Sequence, residues 1–90
     1  MAIGMIFDGS GVTQAQYEQA RNEVAPDNRP PSGMLYHAAG PIPNGWRVIE
    51  IWESQEAADR FFQDKLSAAL PRANISVQPQ RFEVVNTMQP

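Results

Sequence analysis

The chain contains no cysteine and a single histidine, His37. Without thiols there can be no disulfide, no thiolate nucleophile and no cysteine-held metal centre, and one imidazole cannot assemble a histidine-rich transition-metal site. No metal is therefore expected. Basic residues are also few: Arg21, Arg29, Arg47, Arg60, Lys65, Arg72 and Arg81 stand apart from one another, and the net charge is −3 with a pI near 4.9. A chain with no basic stripe has nothing to track a phosphate backbone, which argues against a nucleic-acid partner. It also lacks an apolar run of roughly 18 residues and a basic start leading into an apolar stretch, so neither a membrane span nor a secretory signal is expected. The sequence reads as cytoplasmic.

What is present is an ordinary globular composition, 42% hydrophobic and 19% charged over 90 residues, which fits one small domain spanning residues 1–90. A chain of this size buries only about 60 to 65% of its unfolded surface, so a partner subunit is an expected source of stability.

Four short segments rich in β-branched and aromatic residues read as strands: AIGMIFDG, MLYHAAG, WRVIEIWE and QRFEVVNTM. Between them lie two helical stretches. The first opens with Thr13 as N-cap and Gln16 completing a capping box, while Val12 and Tyr17 match a hydrophobic staple, and Pro26 closes it. The second opens after Ser54, carries Glu56 and Asp59 early, and runs to Pro71 with the stripe Ala58, Phe61, Phe62, Leu66, Ala69 and Leu70. Phe61 and Phe62 are expected to pack in the core. The order β-α-β-β-α-β predicts a ferredoxin-like α+β fold, a four-stranded antiparallel sheet with both helices on one face.

Strand parity then sorts the third strand into two faces. Arg47, Ile49, Ile51 and Glu53 form one set, with isoleucines at the centre, and suit the face beneath the helices. Trp46, Val48, Glu50 and Trp52 form the other and would face the side without helices. Each tryptophan can bury roughly 150 to 250 Å², so that side needs a cover, and a second copy of the sheet packed across a two-fold axis would supply it. The predicted assembly is a homodimer enclosing an apolar chamber between two sheets.

Glu50 is the residue that makes the chamber chemically interesting. Pro41 and Pro43 disfavour a tight turn in the hairpin GPIPNG, so a wider loop is expected. Pairing that begins with Gly40 opposite Arg47 sets His37 opposite Glu50, and gathers Met34, Tyr36 and Ala38 with Ile49 and Ile51 beneath the helices; a register slipped by one residue would set Tyr36 opposite Glu50 instead. The candidate acid/base residues are His37 and Glu50, within a substrate-binding wall of Leu35, Trp46, Val48 and Trp52. A carboxylate beside an imidazole in a mainly apolar chamber is suited to moving protons to and from a small apolar or aromatic ligand. The competing account is structural: Glu50 could serve as a polar anchor of the dimer.

The element order, the length and the run VIEIWESQEAADRFF, where a strand ending in Glu-x-Trp-Glu feeds directly into a capped helix, resemble the dimeric α/β barrel superfamily and its antibiotic-biosynthesis monooxygenase family. The resemblance implies oxidation of small phenolic or polyketide-like substrates without metal, flavin or other cofactor. Other barrel members are cyclases or isomerases, or stress-related dimers that bind small ligands without chemistry. The haem-degrading subgroup uses an Asn on the first strand, a Trp ending the third and a His on the second helix. Trp52 matches the tryptophan, but the first strand has no Asn and Phe61 and Phe62 stand where the His would be, so haem degradation is not expected.

Overall fold

The structure is a computed structural model describing residues 1–90. Strands β1 (Ile3–Ser10), β2 (Met34–Ile42), β3 (Gly45–Trp52) and β4 (Pro79–Glu83) form one antiparallel sheet in the order β2-β3-β1-β4. Helix α1 (Gln14–Val24) follows β1. A second helical rod follows β3 and is built from α2 (Gln55–Phe61), a π-helical turn (Phe62–Leu66) and α3 (Ser67–Arg72). This is the predicted ferredoxin-like architecture. No helix is long and apolar enough to cross a membrane.

The helix starts follow from their caps. Thr13 accepts from the Gln16 amide at 3.2 Å while the Gln16 side chain accepts from the Thr13 amide at 2.9 Å, so two orphan donors are satisfied together. Gln16 also donates to the carbonyls of Ala73 and Asn74, tying the start of α1 to the end of α3. Ser54 caps α2 through the Ala57 amide.

The sheet face beneath the helices is the opposite of the one expected. Met5 and Phe7 of β1 pair with Glu50 and Val48, and with Trp52, Ala57, Ala58 and Phe61 they form the buried core. The rings of Trp52 and Phe61 lie 5.4 Å apart. Parity alone cannot choose between two apolar faces; the choice is made by size matching across the layers. The helices present alanines, Ala20, Ala57, Ala58 and Ala69, all buried, and small helix residues leave room for large sheet residues such as Trp52, only 1% exposed. Burial of that one side chain is worth on the order of 5 kcal/mol before conformational entropy is counted.

Gly4, Ile6, Ile49, Ile51, Tyr36, Ala38 and Phe82 consequently share the outer face. The Phe82 ring lies across Gly4, where an added Cβ would come within 2.2 Å of it, so glycine is required for that ring to lie flat on the sheet. Asp8 and Arg47 close one rim through a bidentate pair at 2.7 and 2.9 Å, and this bond holds the Asp8 carboxyl below its ordinary range.

Three local expectations also change. The hairpin turn is the two-residue Pro43–Asn44 link, with Ile42 paired to Gly45 and Asn44 at φ 63°; β2 is an edge strand, where a proline's missing donor need not interrupt a ladder. A register shift between Met34 and Tyr36 brings Met34 opposite Trp52 and onto the core instead of the Ile49 side. Phe62 is 38% exposed, because it follows the inward-facing Phe61 in helical geometry and is turned about 100° away from it.

Candidate functional site

The pairing predicted for the hairpin is present: Gly40 lies opposite Arg47 and His37 opposite Glu50. Since this face lies beneath the helices, Glu50 and His37 look into a space between the sheet and the helices of one chain, not into a chamber between two sheets. The space is a cavity of about 430 Å³, within the range of small-molecule sites. Leu35, His37, Trp46, Val48 and Glu50 line it. Trp52 instead packs into the core behind it and reaches the site through a hydrogen bond.

Four side chains form a continuous chain along one wall. Trp52 Nε1 donates to Glu50 Oε1 at 2.9 Å, Glu50 Oε2 lies 3.1 Å from His37 Nδ1, and His37 Nε2 lies 2.7 Å from Tyr17 Oη. Proton positions follow from donor capacity. With the carboxylate ionised and the ring neutral, the two contacts select one tautomer: His37 carries its proton on Nδ1 and donates it to Glu50, and Nε2 accepts from the Tyr17 hydroxyl. Glu50 is 5% exposed, and its two oxygens are met by two donors, which removes the cost of leaving a buried carboxylate unpaired. The His37 side chain keeps 32% of its surface exposed, so protons in this chain can exchange with solvent at its middle.

Tyr17 is the member that sequence reasoning assigned elsewhere, as half of a staple. It stands on α1 one turn inside the cap, with its ring 5.4 Å from that of Trp46 and 6.1 Å from that of His37. Burial pushes its phenol above the ordinary value; Arg21 opposes the shift, and Glu50 and Glu18 add to it. Tyr17 is therefore a protonated hydrogen-bond donor at neutral pH. Its helical position relative to β2 depends on the tertiary packing of α1, and no local signal carries that.

The rest of the wall is mainly apolar. Phe61, Leu66 and Leu70 come from the second helical rod, with Ile75 and Val77 from the segment beyond it. The connector between α1 and β2 supplies Asn28, Arg29, Pro30 and Pro31. The Ser67 amide bonds to the Phe62 carbonyl across the π-helical turn, and this extra residue in the turn sets the rotation at which Leu66 meets the cavity. Trp46 Nε1 is buried without a hydrogen-bond partner. No group of three or more His, Cys, Asp or Glu side chains is disposed to hold a metal ion.

No protein-family model and no curated protein sequence matches the chain. Solved structures do. A Chloroflexus aurantiacus protein classed with the antibiotic biosynthesis monooxygenases superposes with a TM-score of 0.70 at 14% identity, covering 99% of this chain and 98% of its own. A variant of SnoaB, a cofactor-independent oxygenase from Streptomyces nogalater, gives 0.65 at 13% identity, covering 99% and 97%. A variant of MhuD carrying two manganese protoporphyrin IX molecules per active site gives 0.69 at 22% identity, covering 98% and 99%. At such identities the likeness establishes a shared ferredoxin-like fold over nearly the whole length.

Proposed function

We propose that the protein is a cofactor-independent monooxygenase acting on a small phenolic or polyketide-like aromatic substrate held in the cavity between sheet and helices. The observation that carries this reading is the hydrogen-bonded chain from Trp52 in the core through Glu50 and His37 to Tyr17 at the wall of a mainly apolar cavity. A substrate hydroxyl meeting Tyr17 Oη gives up its proton as Tyr17 passes its own to His37 Nε2, and Glu50 stabilises the imidazolium so formed. The resulting phenolate is electron-rich enough to reduce dioxygen. A carbon–oxygen bond forms at the ring, the peroxide takes up a proton, and loss of water leaves a quinone. One dioxygen is consumed and one water released, with the substrate carbon supplying the electrons. The apolar wall keeps bulk water from the charged intermediates.

Haem chemistry does not fit the site. His37 is the sole histidine, and both of its ring nitrogens are engaged, so none is free to bind iron. A second reading is favoured by the raised Tyr17 phenol: a protonated donor in an apolar cavity also suits an isomerase or cyclase that protonates a substrate oxygen. We further propose that the outer face, with Ile6, Ile49, Ile51 and Phe82, pairs with that of a second copy to form a homodimer. The cavity lies on the other side of the sheet, so the dimer is not required to enclose it.

The deciding experiment follows dioxygen uptake with α-naphthol as probe. Uptake with formation of naphthoquinone and its loss in His37→Gln supports oxygenation. Binding without uptake would turn the assignment toward the isomerase or a non-catalytic binder.

A further inference from the structure

Arg21 lies four residues beyond Tyr17 on α1, so the two side chains leave the same face of the helix about 6 Å apart along its axis. Both line the cavity. The Arg21 guanidinium is held in place at the end of α1: it donates to the Ala25 carbonyl at 3.0 Å and to the Asn22 side chain. Those two bonds use two of its five donors. No carboxylate lies within ion-pair distance of it, whereas Arg29, Arg47, Arg72 and Arg81 each have one. Glu50, the one acidic residue lining the cavity, is satisfied by Trp52 and His37.

The Arg21 guanidinium is half-buried at the end of α1, so water solvates it while the cavity is empty, and its unused donors are open to an anion that enters the cavity. Its planar fork suits a carboxylate, which it can bind through two parallel bonds. Because the ends of α1 are fixed by the Thr13–Gln16 box and by the Arg21–Ala25 bond, the spacing between Tyr17 and Arg21 is a rigid ruler.

We infer that the cavity selects aromatic hydroxy acids, with the carboxylate held by Arg21 and the hydroxyl presented to Tyr17 about one aromatic ring system away. This rests on the proposed use of the cavity as a substrate site, and it adds an acidic anchor that proton transfer alone does not require. The anchor orients the ligand: it points the hydroxyl, and not the far edge of the ring, toward the proton chain.

The test uses p-hydroxybenzoate and its methyl ester, titrated against tryptophan fluorescence, because Trp46 lines the cavity. The protein is expected to bind the acid about 10-fold more tightly than the ester, the size of one charge-assisted anchor. Arg21→Gln should remove that preference, with its circular dichroism spectrum and thermal melt showing that the variant is folded, and Arg21→Lys should restore part of it. Equal binding of acid and ester, or a preference that survives Arg21→Gln, would overturn the anchor while leaving the cavity as a binding site. Failure of both probes to bind would overturn the anchor and the cavity together, and is thereby distinguishable.

Discussion

Tyr17 Oη lies 2.7 Å from His37 Nε2, joining helix α1 to the edge strand β2. The contact converts a Glu-His couple into a chain with a phenol at its cavity end. Tyr17→Phe keeps the ring, its packing on Trp46 and the cavity shape, and loses only the hydroxyl. Its thermal melt is expected to stay within about 1.5 kcal/mol of the parent, while α-naphthol oxidation falls by about 100-fold or more. A melt that collapses along with turnover would mark the hydroxyl as structural.

The same phenol makes stability depend on alkaline pH. Burial raises the folded-state value above the ordinary 10.0, so the folded form holds its proton more tightly than the unfolded chain. The stabilisation is complete below pH 10 and is lost as pH rises through the raised value. Alkaline denaturation should therefore show a steeper loss for the parent than for Tyr17→Phe, and ultraviolet phenolate titration should lose its highest step in the variant.

Glu50 separates structure from chemistry. Glu50→Ala strips Trp52 Nε1 and His37 Nδ1 of their acceptor, at a cost of about 1 to 3 kcal/mol for the buried indole donor, while water can meet the partly exposed imidazole. In Glu50→Gln the amide oxygen can still accept from Trp52, but its NH₂ faces His37 and forces the other tautomer, so Nε2 becomes a donor to Tyr17. Calorimetry should find this variant within about 1 kcal/mol of the parent. Oxidation should nonetheless fall, because Tyr17 has lost its proton acceptor.

Much of the fold was legible in the sequence. The capping box at Thr13 and Gln16, Ser54 before the second helix, and alternation along β3 are local signals, and the register that sets His37 against Glu50 is the one given by pairing Gly40 with Arg47, although the wide loop expected from Pro41 and Pro43 is a two-residue turn. Which face of the sheet the helices cover was not legible, because both faces of β3 carry large apolar residues. That decision rests on Ala57 and Ala58 leaving space for Trp52 in the core, a relation between helix and sheet. Tyr17 was missed for a similar reason: its helical position satisfied a local pattern, and the contact with His37 arises only when α1 docks.

The proposed dimer rests on the opposite face from the cavity. Replacing Ile49, whose partner on β1 is Ile6, by Glu sets a charge at the centre of the outer face, where an obligate interface is apolar. Sedimentation velocity should show a dimer for the parent and for Glu50→Gln, and a monomer for Ile49→Glu. A dimer that persists in Ile49→Glu would place the interface elsewhere.

His37 is the one imidazole in the chain, so its ring can be observed without ambiguity. Nitrogen-15 NMR of the ring should find Nδ1 protonated, with a downfield N–H proton bonded to Glu50 and Nε2 as an acceptor that shifts when α-naphthol is added. A ring protonated on Nε2, or one indifferent both to α-naphthol and to Tyr17→Phe, would contradict a proton chain running from the cavity through Tyr17 to Glu50.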